Sequence, residues 1–194
     1  MLKDLVYTCR SYRRFDENVR IPVETLRDWV ESARCVASSV NSQVLRYTIV
    51  SSEEACAQVF NCCAWASGLP QWDGPEPGEQ PSAYIVMASD QHATISGKCT
   101  AWDTGIAAQT ILLRATEEGF GGCMIGAFRK SAVADICDLP RSCTPELVIA
   151  LGKPVEDVRL VGPRENGSLT YYNDESGVHY VPKRPLSEVL LGEL

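Results

Sequence analysis

Residues 101–126 read AWDTGIAAQTILLRATEEGFGGCMIG and contain the strongest structural signal in the chain. The stretch 101–118 is rich in alanine and leucine, which favour a helix, and Gly119 is placed to end it in the left-handed conformation that glycine adopts readily. Gln109 and Arg114 interrupt the apolar residues, so the segment predicts a buried core helix and not a membrane span. We expect the fold to pack around this long central helix.

Shorter helix and strand patterns flank the central helix. Helices are predicted at 22–36, 53–66 and 130–138, and strands at 46–51, 82–88 and 146–152. In the first of these helices an apolar stripe recurs at Val23, Leu26, Val30 and Ala33. The tail 153–194 is polar and predicts mostly loop. Because the elements alternate irregularly, without the regular βαβ rhythm of a doubly wound fold, they predict a layered α+β or α/β domain.

Length and charge limit the class of protein. The chain has 194 residues, which suits a single domain over 1–194. Its 18 basic and 25 acidic residues give a net charge of −7, which argues against nucleic acid or an anionic membrane surface as the main partner. The charge is +2 over 1–50, −7 over 51–150 and −2 over 151–194. The basic excess near the N-terminus can still hold one small anion.

The cysteines and histidines do not predict a metal site. The nine cysteines include no CxxC pair, and adjacent Cys62 and Cys63 cannot by themselves form a tetrahedral zinc motif. His92 and His179 lie far along the chain from any paired cysteines. Most thiols lie among apolar neighbours, which is typical of a reducing compartment, so we expect a cytoplasmic protein. The charged residues 1–5 do not predict a secretory signal, and we expect no membrane partner.

Two polar segments in the first quarter of the chain carry groups that can bind a small ligand. Arg10, Ser11 and Arg13 offer two forked donors and a hydroxyl within four residues, a set that suits a phosphate. The alternative is a solvated basic segment. The loop 38–43, SSVNSQ, offers hydroxyl and amide groups that can read the edge of a heterocycle, or else forms a helix-capping turn.

Two further candidate segments lie in the second half. Gly121, Gly122 and Gly126 flank a short apolar run, and such glycines let the backbone approach a ligand closely, although a tight core connection gives the same pattern. The segment matches neither a Walker A loop nor a GxGxxG fingerprint. Lys183 and Arg184 lie between prolines, and they form either an anion-binding site or a surface charge pair. No Ser-His-Asp or Cys-His pattern stands out in the sequence.

Taken in order, these segments resemble the flavin-dependent nitroreductases. RSYRRF at 10–15 is similar to the family's R-S-x-R-x-F segment, and ASSVNSQ at 37–43 to its P-S-x-x-N-x-Q-P-W loop. Residues 102–128 resemble its long central helix and the turn beside the flavin, while LGKP at 151–154 and GVHYVPKRPLSEVL at 177–190 resemble its last strand and tail. The sequence departs from this pattern at Ala37, Val44, Leu45 and Met124.

The resemblance implies a fold, an assembly and a cofactor. The fold is a three-layer α/β/α domain of the α+β class with a mixed, mostly antiparallel sheet, a long central helix and a C-terminal tail that extends onto a partner subunit. The assembly is a homodimer with FMN at the interface. Arg10, Ser11 and Arg13 would hold the phosphate and ribityl side of FMN, with the N1/O2 edge of the ring as the alternative for Arg13. Lys183 and Arg184 would complete the phosphate site.

The resemblance also implies the ring contacts and the activity. Ser38, Ser39 and Asn41 would come from the partner subunit and line the ring, while backbone N–H groups at Gly126 and Ala127 would face flavin N5. The implied activity is an FMN-dependent oxidoreductase that passes a hydride from NADH or NADPH through N5 to a nitroaromatic, a quinone or a similar small acceptor in a ping-pong sequence. The alternatives are a flavin-binding sensor or carrier without turnover and a non-flavin structural protein.

Overall fold

The chain forms two compact units, Met1–Trp65 with Gly74–Val155 and Ala66–Asp73 with Glu156–Leu194. A computed structural model describes residues 1–66, 68, 69, 72–92 and 97–194. The helices are α1 (Leu2–Thr8), α2 (Val23–Arg34), α3 (Glu53–Phe60), α4 (Gly97–Glu117), α5 (Lys130–Ile136) and α6 (Leu186–Val189). The strands are β1 (Phe15–Asp16), β2 (Leu45–Val50), β3 (Ala83–Asp90), β4 (Gly121–Ile125), β5 (Cys143–Pro154), β6 (Val158–Val161), β7 (Tyr172–Asn173) and β8 (His179–Pro182). The single domain predicted over 1–194 stays a prediction, and the units are described separately.

The first unit is built on a five-stranded antiparallel sheet. β5 pairs along one edge with β3, and β3 pairs in turn with β2. Along its other edge β5 pairs with β4, where Cys123 is opposite Ala150, and then with β1, where Phe15 is opposite Pro154. The mostly antiparallel sheet predicted for this fold is therefore confirmed.

Helices α2 and α4 cover one face of this sheet. They share a continuous apolar core with alternate residues of β3 and β5, including Leu26, Trp29, Ala33, Ile85, Met87, Ala108, Ile111, Ile149 and Leu151. Trp29 is fully buried, and its indole N–H donates to Glu118 Oε1 at 3.0 Å. The buried stripe of α2 therefore includes Trp29, whereas the predicted Val23 is 40% exposed at the first residue of the helix.

The other face of the sheet is covered by α3 and α5. Tyr84 and Val86 of β3 and Val148 and Ala150 of β5 are buried outside the α2–α4 core, as expected for residues that alternate with those of the first face. Both helices pack against these central strands and against each other. The three-layer α/β/α arrangement predicted for the fold is therefore confirmed.

The central helix α4 is longer than predicted and is not buried on all sides. It begins at Gly97, before the predicted residue 101. Its end is as predicted. Gly119 takes a φ of +76° and ends the helix, and the N–H of Phe120 donates to the carbonyl of Ala115 at 2.8 Å. The expectation of a buried core helix is wrong for one face, where Trp102 is 55% exposed. No helix in the described ranges combines the length and apolar character needed to cross a membrane.

The second unit corrects the prediction that the tail is mostly loop. β6 and β8 pair in parallel, and β7 adds to β8 in antiparallel orientation. Tyr172 and Tyr180 stack on this small sheet with 5.1 Å between ring centroids. His179 is buried, and its Nδ1 lies 2.6 Å from Asn173 Oδ1. The strands are two to four residues long, which is too short for alternation to identify them in a polar sequence.

Candidate functional site

The turn after β4 exposes backbone where the sequence predicts ring contacts. Gly126 and Ala127 are both exposed, and a Cβ added to Gly126 would meet no heavy atom within 4 Å. Within the described residues, no backbone hydrogen bond outside the regular elements uses the N–H of Gly126 or Ala127 as donor. This turn therefore offers two N–H donors and open space to a planar ligand.

The same turn is anchored from the chain that follows α3. Cys63 forms an isolated antiparallel bridge with Phe128. The N–H of Ala64 donates to the carbonyl of Ala127 at 2.8 Å, and the N–H of Arg129 donates to the carbonyl of Cys62 at 3.0 Å. These bonds also explain why α3 ends at Phe60 and not at the predicted residue 66, since the backbone of residues 62–64 is bonded to the turn. The exposed N–H donors are thus held on a fixed backbone.

The basic N-terminal segment lies directly beside the glycine-rich strand. Ser11 forms a parallel bridge with Gly122, and the N–H of Tyr12 donates to the carbonyl of Gly122 at 3.0 Å. The ring of Tyr12 also packs closely over Gly121: a Cβ added to Gly121 would lie 2.6 Å from the Tyr12 ring. Arg13 donates from Nη1 to the carbonyl of Ser11 at 3.2 Å. Two segments that the sequence singled out separately therefore form one edge of the sheet.

Arg10 carries a guanidinium donor without a partner in the described structure. Its Nη2 donates to the carbonyl of Val6 at 2.5 Å, at the end of α1. Its Nε is buried and has no hydrogen-bond partner. A buried donor on a charged group is costly to leave unsatisfied, so an anion at this position would relieve a defect of the unliganded chain. This observation fits the predicted phosphate contact.

The loop Ser38–Gln43 is held by α4, which changes the expected role of Ser39. Both carboxylate oxygens of Asp103 accept from the N–H of Ser39, at 2.9 and 3.2 Å, and Oδ1 also accepts from its hydroxyl at 2.8 Å. Ser38 Oγ accepts from the N–H of Gln43 at 3.4 Å, and Asn41 Oδ1 accepts from the Gln43 side chain at 3.2 Å. The Ser39 hydroxyl therefore serves the loop itself.

A cavity of about 570 Å³ adjoins the β4 turn through Met124, and sequence reasoning missed it. Its lining comes from the N-terminal half of α4 and the ends of β3 and β5: Val44, Ser89, Asp90, Gln91, Gly97, Thr100, Ala101, Thr104, Gly105, Met124, Glu146 and Leu147. Glu146 accepts from Ser89 Oγ at 2.6 Å and lies 3.5 Å from Lys130 Nζ. The volume suits a small organic molecule. These residues are scattered in sequence and carry no motif.

Lys183 and Arg184 belong to the second unit. The N–H of Lys183 donates to the carbonyl of Val161 at 2.8 Å, and Arg184 pairs with Glu188 at 2.9 Å across one helical turn. Both side chains are exposed. Their assignment to the cofactor phosphate stays a prediction.

The cysteines are free thiols, and burial makes several of them poor nucleophiles. Burial raises the pKa of Cys63 to about 12 and that of Cys137 to about 11. Burial also raises the pKa of Tyr84, whose hydroxyl is buried without a hydrogen-bond partner. Over the described residues, no group of three or more His, Cys, Asp or Glu side chains is arranged to hold a metal ion.

Comparisons with known proteins agree with this fold. The model of the nitroreductase family matches residues 69–153. A relative from Bacillus subtilis (strain 168), provisionally named NAD(P)H nitroreductase YodC, is 23% identical over 182 residues, which cover 79% of this chain and 89% of the relative. A solved structure from Staphylococcus epidermidis ATCC 12228, provisionally named an NAD(P)H:FMN oxidoreductase, has a TM-score of 0.72 and 19% identity, with 100% of this chain and 96% of that chain covered.

A further solved structure adds a ligand to the comparison. It is a provisionally named nitroreductase from Desulfovibrio desulfuricans in complex with FMN, with a TM-score of 0.67, 20% identity and coverage of 100% of this chain and 96% of that chain. The matched segment 69–153 contains α4, the β4 turn and most of the strands that form the cavity. The family model matches less than half of the chain, and the solved structures show that the chain has the nitroreductase fold over its whole length.

Proposed function

We propose that this protein is an FMN-dependent oxidoreductase that uses NADH or NADPH to reduce a small conjugated acceptor such as a nitroaromatic or a quinone. The observation that carries the proposal is the anchored turn at Gly126 and Ala127, which has open space at Gly126 and N–H groups without a backbone acceptor among the described residues. It follows β4, which contacts the arginine segment at Gly122 and the 570 Å³ cavity at Met124. The match of residues 69–153 to the nitroreductase family model and the FMN complex of a structural neighbour support the same function.

The donor set of this chain fits FMN. We assign Arg10, Ser11 and Arg13 to the phosphate and ribityl side, because the buried Arg10 Nε lacks a partner and a forked guanidinium suits a phosphate. Gly126 and Ala127 are assigned to the ring, because a planar group can approach a backbone that carries little or no side chain. Lys183 and Arg184 stay assigned to the phosphate as a prediction from the resemblance.

The chemistry belongs to the cofactor, and the protein supplies position and charge. When held by these residues, FMN would supply the hydride-transfer chemistry between nicotinamide and acceptor. The N–H groups of Gly126 and Ala127 are fixed by their anchored backbone, so they can donate to a developing negative charge without reorganising. In the alternative assignment of Arg13, its positive charge would lie at the N1/O2 edge of the ring and stabilise negative charge there. No titrating side chain is required, which agrees with the raised pKa values of Cys63 and Cys137.

We further propose that the protein acts as a homodimer. The outer face of α4 exposes Trp102 at 55% and Ile106 at 46%, and α1, which packs against α4, exposes Val6 at 47% and Tyr7 at 61%. Neighbouring exposed apolar residues on two packed helices are typical of a protein interface. A second copy covering this face would bring a partner loop toward the cavity that adjoins α4. Size-exclusion chromatography with light scattering tests the dimer, and a monomer at all concentrations would contradict it.

Steady-state kinetics test the activity. FMN-loaded protein is assayed with NADH or NADPH against a nitroaromatic and a quinone, with both substrates varied. Because one cavity adjoins the turn, we expect nicotinamide and acceptor to occupy it in succession and give parallel double-reciprocal lines. Intersecting lines would contradict the shared cavity. An FMN-loaded protein that turns over with neither nicotinamide would favour a sensor or carrier.

A further inference from the structure

The loop Ser38–Gln43 has a backbone conformation that its own residues disfavour. Val40, Asn41 and Gln43 have φ values of +47°, +54° and +47°. Asparagine tolerates the left-handed region, but a β-branched valine rarely occurs there because its Cβ crowds the following carbonyl. Val40 is also 91% exposed, so packing of its side chain does not offset this strain. Strain of this kind persists when the surrounding structure imposes it, and it concentrates at functional sites.

Asp103 holds Ser39, the residue directly before this strained turn. Its side chain is buried, with 3% exposure for the residue, near the end of the second turn of α4. Among the described residues its hydrogen bonds all come from Ser39, two from the N–H and one from the hydroxyl. Bonds to an ionised carboxylate are stronger than neutral ones, so they can fix the residue from which the strained turn starts.

Support of α4 alone does not explain why a carboxylate, Asp103, is buried at this position. Burying a charged group next to neutral donors is unfavourable, and an apolar residue in its place would support α4 at lower cost. The negative charge also acts on Tyr47, whose pKa is raised first by burial and then by Asp103. Tyr47, Asp103, Ser38 and Gln43 line one cavity of about 140 Å³ beneath the loop. The carboxylate therefore lies where it can hold the loop above this cavity.

We propose that Asp103 is a positioning residue that fixes the loop Ser38–Gln43 so that its exposed tip, Val40 and Asn41, is presented to the FMN bound in the second subunit. This inference rests on the proposed function. It reassigns Ser39 from a ring contact to the anchor of the loop. It also predicts that Asp103 affects cofactor binding without touching the cofactor.

Variants of the anchor test the proposal at the loop and at the cofactor together. Asp103→Ala removes every acceptor, Asp103→Asn keeps one carboxamide oxygen, and Ser39→Ala keeps the N–H bonds while it removes the hydroxyl bond. Glu117→Gln is the matched control, because it neutralises an exposed carboxylate on the same helix. Amide hydrogen exchange reports on residues 39–43, FMN fluorescence gives the dissociation constant, and circular dichroism confirms folding.

We expect Asp103→Ala to speed exchange of the Ser39 amide and weaken FMN binding by about tenfold or more, as for the loss of hydrogen bonds to a charged group. Asp103→Asn and Ser39→Ala should fall between it and the wild type, and Glu117→Gln should match the wild type. Faster exchange with unchanged FMN affinity would overturn the proposal, and so would unchanged exchange. If Asp103→Ala does not fold, the two milder variants decide in the same way.

Mixed dimers test whether the loop acts across the interface. Asp103→Ala subunits are mixed with Arg10→Ala subunits under different affinity tags, and the heterodimer is isolated. If the loop serves the site of the other subunit, one of the two sites combines an intact loop with an intact Arg10, and about half of the high-affinity FMN sites return. If the loop serves its own subunit, both sites stay defective and the proposal is overturned. A wild-type protein that binds no FMN would instead refute the proposed function itself.

Discussion

Substitution of Gly122 tests whether the close pairing of β4 with β5 sets the position of the binding turn. A Cβ at this residue would lie 3.0 Å from Leu151 Cδ2, 3.2 Å from the carbonyl carbon of Ala150 and closest of all to the carbonyl oxygen of Ala150. Ordinary contacts of a Cβ begin at 3.4 Å. The Leu151 side chain can rotate, but the Ala150 backbone belongs to the central strand. Gly122→Ala therefore forces β4 away from β5.

The structure gives the size of this effect. Overpacking of a filled interior costs about 1–3 kcal/mol, and a clash with backbone belongs at the upper end. Separation of the strands also strains the ladder bonds beside the clash, and one buried group left unpaired adds about 1–3 kcal/mol. Gly122→Ala should therefore lower the free energy of unfolding by about 4 kcal/mol, which for a chain of this length lowers Tm by roughly 8–16 °C.

Thermal unfolding measures the change in Tm and urea unfolding the change in free energy, with Gly162→Ala as the control. A Cβ at Gly162 would meet no heavy atom within 4 Å, so that variant should stay within about 0.5 kcal/mol of the wild type. FMN affinity should fall in Gly122→Ala as well, because the turn at Gly126 follows β4 directly. A Gly122→Ala protein with wild-type Tm and wild-type FMN affinity would refute the reasoning.

Two further predictions concern charge and pH. Arg10→Ala should weaken FMN retention about tenfold or more, because it removes a charge-assisted contact. Arg27→Ala is the control and should leave retention unchanged, because it loses only an exposed ion pair with Glu24. If both variants retain FMN equally in a dialysis assay, Arg10 is not part of the phosphate site. The free energy of unfolding should fall as pH rises from about 9 toward 12, because the Cys63 thiol ionises near 9 when unfolded but only near 12 when folded, so the unfolded state loses its proton first. Cys63→Ala should make this decline shallower in urea titrations, and an unchanged slope would contradict the burial of that thiol.

Local features of the fold could be predicted from the sequence. The end of α4 at Gly119 depends on one residue and its neighbours, and it is confirmed. The sequence predicts no strand over residues 121–125, where glycines precede a short apolar run, yet these residues form β4. The physical reason is tertiary, since Gly122 has no side chain and lets β4 approach the carbonyl of Ala150. That neighbour cannot be identified from local pattern.

In the candidate site too, residue chemistry can be predicted from the sequence but tertiary contacts cannot. The donor chemistry of Arg10 and Arg13 could be identified by residue type, but their place beside Gly122 depends on a bridge between positions more than a hundred residues apart. A helix that starts at residue 101, as the sequence predicts, would have Asp103 in its first turn. In the structure α4 begins at Gly97, and Asp103 lies further along the helix, where it is buried and anchors Ser39. Sequence pattern gives no signal for such a contact, because both residues are ordinary at helix ends and in loops.

The most direct test of the central claim is the visible absorbance spectrum of the purified protein, reconstituted with FMN and freed of excess cofactor, before and after anaerobic addition of NADH or NADPH. We expect one flavin to be retained per chain, with a visible band that is bleached by at least one nicotinamide and returns when a quinone or nitroaromatic is added. A protein that stays colourless after incubation with FMN, or whose bound flavin neither nicotinamide bleaches, would contradict it.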